Sequence, residues 1–206
     1  MLAKYGVLFG TFNPIHYGHL AIANRALEQF NLTKVLFVTS YIPPHRIDKP
    51  VDAYLRNYMV QLAIKDNPQF DLLDIEIKRQ GLSYTIDSVK EIIRLLDCHH
   101  KLYLIIGSDN LLSFTTWQNY QEILDLTNIL IAPRNDMSFN NKDFSKWLIS
   151  QKLPTILTEK IELINLPSNN ISSSHIRDLC ANKSSLKYLI PDNVINFIND
   201  QNLYRK

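Results

Sequence analysis

Short apolar runs alternate along this chain with longer segments whose apolar residues return every three or four positions, and that alternation limits the folds open to it. Tyr5 to Phe9, Val35 to Val38, Leu102 to Ile106, Ile129 to Ala132 and Ile161 to Leu166 read as strands. The stretch Phe70 to Ile77, broken by charged residues, reads as one more. Between them, Leu20, Ala23, Leu27 and Phe30, then Leu55, Met59 and Leu62, then Ile86, Val89, Ile93 and Leu96 recur at helical spacing. The Ser83-Tyr84-Thr85 stretch offers a capping hydroxyl to the last of these helices. Strands separated by helices predict an α/β fold with a parallel sheet, because parallel neighbours need crossover connections and the right-handed crossover lays helices over the sheet. Ligands of such sheets bind beyond the carboxyl ends of the strands, so functional residues are expected just after them.

The chain has 206 residues, 46% of them hydrophobic, enough for one substantial core. A single domain over residues 1–206 is the expectation, with a C-terminal helical portion from about residue 171. An excursion is expected where the polar stretch Asn135 to Asn141 precedes a helix over Phe144 to Ile149. The formal net charge of +2 argues against a nucleic-acid polymer as partner. No charged leader precedes a long apolar stretch, and no run reaches the eighteen apolar residues of a membrane span. Cys98 and Cys180 stand far apart and in no metal-ligand spacing, and Cys98-His99-His100 reads as a polar turn. A reducing cytoplasm suits this pattern.

Neither glycine fingerprint of phosphate loops, G-x-G-x-x-G or G-x-x-x-x-G-K-[ST], is present. The first strand instead runs into Gly10-Thr11-Phe12-Asn13-Pro14-Ile15-His16-Tyr17-Gly18-His19, directly before the first helical pattern. A helix N-terminus presents unbonded N–H groups and positive dipole to an anion. His16 and His19, three apart, would point to one side of a first turn, and Gly18 would let a phosphate approach the backbone. Two histidines near a helix start can also be ordinary polar residues. The order of strand, Gly-Thr, Pro, H-x-G-H and helix favours phosphate binding.

Near the other end stands Ile171-Ser172-Ser173-Ser174-His175-Ile176-Arg177, in which Ser172 precedes the short helical pattern Ile176 to Cys180 as an N-cap would. Taken alone it is a capped helix. With H-x-G-H upstream, it resembles the S-x-[ST]-x-I-R element of the HxGH nucleotidyltransferases, a superfamily with a doubly wound Rossmann-like fold. Ile42-Pro43-Pro44-His45-Arg46, Ser83-Tyr84-Thr85, Ile105 to Leu112, Thr116-Trp117 and the closing Gln201-Asn202-Leu203-Tyr204-Arg205 narrow the resemblance. In that order they are similar to the bacterial nicotinate-nucleotide adenylyltransferases over almost the whole chain. Two positions depart from the family pattern: Phe9 stands where a second glycine is common, and Asn13 where an aspartate is usual.

The resemblance implies transfer of AMP from ATP to nicotinate mononucleotide in NAD biosynthesis. His16 and His19 would donate hydrogen bonds to the α-phosphate. Arg177 and the Ser172-Ser173-Ser174 turn would hold the β- and γ-phosphates, with donors from the Gly10-Thr11-Phe12 turn nearby. Gly107 and Asp109 would meet the adenosine ribose, although Asp109 is also a plausible helix cap. His45 and Arg46 would meet the mononucleotide phosphate, and Tyr84, Thr85 and Trp117 the nicotinate. A solvated basic pair and a core tryptophan are the plainer readings of His45-Arg46 and Trp117. Mg²⁺ would arrive on the ATP phosphates with mostly water ligands, because the motifs hold no carboxylate cluster to cage it. Other HxGH adenylyltransferases, acting on phosphopantetheine or nicotinamide mononucleotide, and a non-catalytic nucleotide sensor remain open alternatives.

Overall fold

The computed structural model describes residues 2–44, 50–96, 100–133, 141–167 and 170–205. In chain order the elements are β1 (Ala3–Gly10), α1 (Tyr17–Gln29), β2 (Lys34–Thr39), α2 (Ala53–Ile64), β3 (Phe70–Leu73), α3 (Ile75–Arg79), α4 (Thr85–Leu95) and β4 (His100–Gly107). There follow α5 (Ser108–Ser113), a 3-10 turn (Phe114–Thr116), α6 (Tyr120–Leu126), β5 (Asn128–Ala132), α7 (Asn141–Ser150), α8 (Thr155–Thr158), β6 (Ile161–Leu163), α9 (Ser173–Ala181) and α10 (Asp192–Asp200). The strands form one six-stranded sheet in the order β3-β2-β1-β4-β5-β6. The order runs outward from β1 and then reverses, which is the doubly wound Rossmann-like topology expected. Among the described residues no helix is long and apolar enough to cross a membrane.

Two compact units divide the chain: Met1–Leu8, Ile22–Val35 and Tyr84–Asn169 form one, and Phe9–Ala21, Leu36–Ser83 and Asn170–Lys206 the other. In the first, β1, β4, β5 and β6 pair in parallel, with Val7 opposite Leu104, Leu104 opposite Ile129, and Ile129 opposite Ile161. Leu102 to Ile106 and Ile129 to Ala132 are buried throughout, as expected of parallel strands covered on both faces. The strand expected to reach Leu166 stops at Leu163. Beyond it the Asn165 N–H donates to Gln29 Oε1 at 2.8 Å and its carbonyl accepts from Arg25 Nε at 2.9 Å. Side chains of α1 therefore satisfy the backbone that a strand ladder would have used.

In the second unit, β3 is shorter than the stretch Phe70 to Ile77 suggests, because Ile75, Glu76 and Ile77 form a turn of helix that buries all three. Alternating apolar residues over so few positions do not separate a strand from one helical turn. Helix α2 also differs from expectation: its buried face is Ala53, Arg56, Met59, Val60 and Ile64 rather than the Leu55–Leu62 row. Asp52 caps it, accepting from the Tyr54 N–H at 2.9 Å. Its outer flank meets α10, where Tyr58 packs edge-on to Phe197 with centroids 4.9 Å apart and Asn193 Nδ2 donates to the Leu62 carbonyl. The expected capping hydroxyl of α4 is not used so: Tyr84 precedes that helix without a side-chain cap, and Ser83 Oγ accepts from the Tyr41 N–H at 2.8 Å. Cys98, His99 and most of the polar stretch after Arg134 lie outside the described residues.

Candidate active site

The turn after β1 is built around a stack of rings. Phe12, fully buried and with a left-handed φ of 46°, presents its ring edge-on to His19 at 5.1 Å. His16 stacks on His19, 3.7 Å away centroid to centroid with the ring planes 28° apart. Two glycines make this possible. A Cβ on Gly10 would stand 2.8 Å from the Phe12 ring, and one on Gly18 would stand 2.9 Å from His16 Nδ1. Gly18 therefore leaves room for the preceding histidine ring.

His16 immediately precedes α1, and its carbonyl accepts from the His19 N–H at 2.9 Å. In return, its own N–H donates to His19 Nδ1 at 3.3 Å. This is half of a capping box, with histidine in the place usually taken by Glu or Gln. An Nδ1 that accepts leaves the proton of the neutral ring on Nε2, so His19 offers a donor from that atom. His16 is only 5% exposed, whereas His19 is half-buried.

The C-terminal elements fasten this turn. Ser172 caps α9, its Oγ accepting from the His175 N–H at 3.2 Å as its place before the helix predicts. Ser173 Oγ donates to the Pro14 carbonyl at 2.8 Å, and the Tyr17 N–H donates to the Leu189 carbonyl at 3.0 Å. Arg177 donates from one terminal nitrogen to the Asn13 carbonyl at 3.0 Å and from the other to Ser174 Oγ at 3.3 Å. That occupies two of the five N–H groups a guanidinium carries. Asn13 is itself buried, its Oδ1 accepting from the Tyr204 hydroxyl at 2.9 Å and from the Val51 N–H at 3.3 Å. The amide oxygen suffices for both bonds.

Two residues with structural weight here were given no role from the sequence, although one of them belongs to the closing motif at 201–205. Arg56, 1% exposed, donates to three carbonyls: Val51 at 2.7 Å, Thr11 at 2.6 Å and Tyr41 at 3.1 Å. An arginine three residues before Met59 and four before Val60 occupies the apolar face of α2, and that misplaced charge is the signal that would have found it. Tyr204 is the other. Burial pushes its phenol well above the usual tyrosine range, with the charges of Arg177 and Arg56 opposing part of the rise, so the hydroxyl remains a donor.

The remaining predicted residues lie in the first unit or outside the described residues. Gly107 ends β4 and precedes α5, with Asp109 exposed in its first turn. Trp117 follows the 3-10 turn, half-buried, its ring 5.1 Å from that of the buried Phe114. Tyr84 and Thr85 stand at the start of α4, both half-buried. His45 and Arg46 lie outside the described residues.

A family model described as cytidylyltransferase-like matches residues 7–179. Among curated relatives, a "Probable nicotinate-nucleotide adenylyltransferase" of Moorella thermoacetica is 39% identical over 98% of this chain and 92% of its own length. Another, bearing the same description in Clostridium novyi, is 36% identical over 99% of this chain and 100% of its own length. Solved structures of Plasmodium falciparum nicotinic acid mononucleotide adenylyltransferase, one complexed with NaAD and one with APC, superpose with TM-scores of 0.77 and 0.76. Each is 20% identical, covers 98% of this chain and 97% of its own, and speaks to the fold. Full-length identity above a third, with the H-x-G-H turn and its serine-arginine partner folded as described, places the chain in the nicotinate-nucleotide adenylyltransferase family.

Proposed function

We propose that this protein transfers the adenylyl group of ATP to nicotinate mononucleotide, giving nicotinate adenine dinucleotide and pyrophosphate. The observation that carries this reading is the His16–His19 stack, in which the His16 N–H donates to His19 Nδ1 and leaves Nε2 as that ring's donor atom. In the reaction a phosphate oxygen of the mononucleotide attacks the α-phosphorus, and the bond from that phosphorus to the oxygen bridging to the β-phosphate breaks. A phosphate monoester is already anionic near neutral pH and needs no strong base. What the step requires is alignment and neutralisation of the charge that gathers on the α-phosphate and on the leaving pyrophosphate.

His16 and His19 donate hydrogen bonds to the α-phosphate. The unspent donors of Arg177, with Ser172, Ser173 and Ser174, supply the β- and γ-phosphates, and Gly10, Thr11 and the Phe12 main chain add donors at the turn. Phe12 contributes no ring contact to a ligand, since its side chain is buried. Gly107 and Asp109 are assigned to the ribose, Tyr84, Thr85 and Trp117 to the nicotinate, and His45 and Arg46 to the mononucleotide phosphate, each on family resemblance. The described residues hold no group of three or more His, Cys, Asp and Glu side chains fit for a metal. Mg²⁺ arriving on the triphosphate would screen charge on the departing oxygens. Incubation with ATP, Mg²⁺ and either nicotinate or nicotinamide mononucleotide, followed by mass spectrometry, tests the proposal. The acid dinucleotide is the expected main product, and ATP binding without any dinucleotide would overturn it in favour of a sensor.

A further inference from the structure

We propose that Tyr204 is a positioning residue for adenylyl transfer, its hydroxyl fixing the Asn13 turn that Arg177 grips from the other side; this rests on the activity proposed above. The two bonds meet on one residue. Tyr204 donates to the Asn13 side-chain oxygen at 2.9 Å, and Arg177 donates to the Asn13 main-chain oxygen at 3.0 Å. Asn13 is 5% exposed and lies three residues before His16, so movement of its peptide is passed directly to the histidine stack.

The backbone after α10 is shaped to deliver that hydroxyl. Asn202 and Tyr204 both adopt left-handed φ values, 49° and 61°, in the turn that follows α10. Asparagine enters this region readily, but a tyrosine does so rarely and persists there only where its surroundings hold it. Here the Leu203 N–H donates to the Ile198 carbonyl at 3.0 Å, and Arg205 donates to the side-chain oxygens of Asn199 and Asn202, each at 3.0 Å. Residues 199–205 are thus held by these bonds at the end of α10, from where the Tyr204 phenol reaches Asn13. Without the hydroxyl, the Asn13 oxygen would keep only the 3.3 Å bond from the Val51 N–H. Arg177 would then rest on a looser carbonyl. Such loosening acts on alignment, which is felt in the transition state more than in ground-state binding.

The test measures dinucleotide formation from ATP, Mg²⁺ and nicotinate mononucleotide by wild type, Tyr204→Phe, Arg177→Ala and the double variant. Tyr204→Phe is expected to lower kcat roughly tenfold, with KM for ATP changed by no more than about twofold. Because the hydroxyl works through the turn that Arg177 shares, the double variant should fall no more than about twofold below Arg177→Ala. Wild-type kcat in Tyr204→Phe, or losses that multiply in the double variant, would overturn the assignment and leave Tyr204 a packing residue. Should Tyr204→Phe prove poorly folded by thermal melting, the acceptor side carries the test. Asn13→Asp, which keeps the oxygen, should stay within about threefold of wild type, and Asn13→Leu should reproduce the kcat loss; equal rates for the two would overturn it. An inactive wild type refutes the activity itself and this inference with it, whereas an active wild type beside an unaffected Tyr204→Phe refutes only the inference.

Discussion

Replacing Gly18 by alanine separates the geometry of the histidine stack from the stability of the helix that carries it. The new Cβ would lie 2.9 Å from His16 Nδ1 and 3.0 Å from its Cε1, with the Ile171 carbonyl oxygen behind at 3.5 Å. Ordinary contact requires about half an ångström more, and the buried His16 ring, stacked on His19, must supply most of it. A misplacement of about 1 Å at a reacting centre can cost on the order of a hundredfold, so half of that corresponds to roughly tenfold in kcat. Stability moves differently. Alanine is favoured over glycine inside a helix by about 1 kcal/mol, while overpacking costs about 1 to 3 kcal/mol, so the net change is a loss of about 2 kcal/mol at most. Steady-state kinetics paired with urea denaturation reads both. Full kcat in a variant shown to fold would mean that the His16 ring position is not used in catalysis.

Arg177→Ala is expected to weaken both ATP binding and turnover, and Arg177→Lys to recover only part, because a point charge cannot reproduce the fork that meets the Asn13 carbonyl and the Ser174 hydroxyl; isothermal titration with ATP and initial rates check this. Arg56→Met should destabilise the fold by about 2 to 3 kcal/mol, since it removes hydrogen bonds from three part-buried carbonyls at about 1 kcal/mol each; the urea midpoint checks it. Nicotinate mononucleotide should be preferred over the amide by at least tenfold in kcat/KM. Helix α4 begins at Thr85 without a side-chain cap, and a charge-assisted bond from its first-turn N–H groups to a carboxylate is worth about 1.5 to 3 kcal/mol over the amide. Equal kcat/KM for the two acceptors would remove the anion site from Thr85.

What was legible in the sequence was mostly what has a period or a cap. Leu102 to Ile106 could only be a buried strand, α4 starts at the Thr85 expected of it, and Ser172 caps α9. Contacts between distant segments were not legible. Nothing local to Ile161–Leu166 shows that Gln29 and Arg25 will take over the backbone of Asn165. Ile75 and Ile77 alternate as a strand would, yet one helical turn buries them with Glu76. At the site, the H-x-G-H spacing showed that two histidines face one way. That Gly18 exists to admit the His16 ring, and that Asn13 is bound on both its oxygens, depends on residues far along the chain.

The fastening of the N-terminal turn by late residues also has a consequence during synthesis. Ser173, Arg177 and Tyr204 reach back 159, 164 and 191 positions to Pro14 and Asn13. A ribosome adding roughly 5 to 20 residues per second needs about 10 to 40 s to make the longest of those intervals. Throughout that time the histidine loop exists as nascent chain without its clasps, although β1 and α1 on either side of it have already been made. Adenylyl-transfer competence should therefore appear abruptly, once Tyr204 has been made and has reached back to Asn13, rather than grow with the length of the chain.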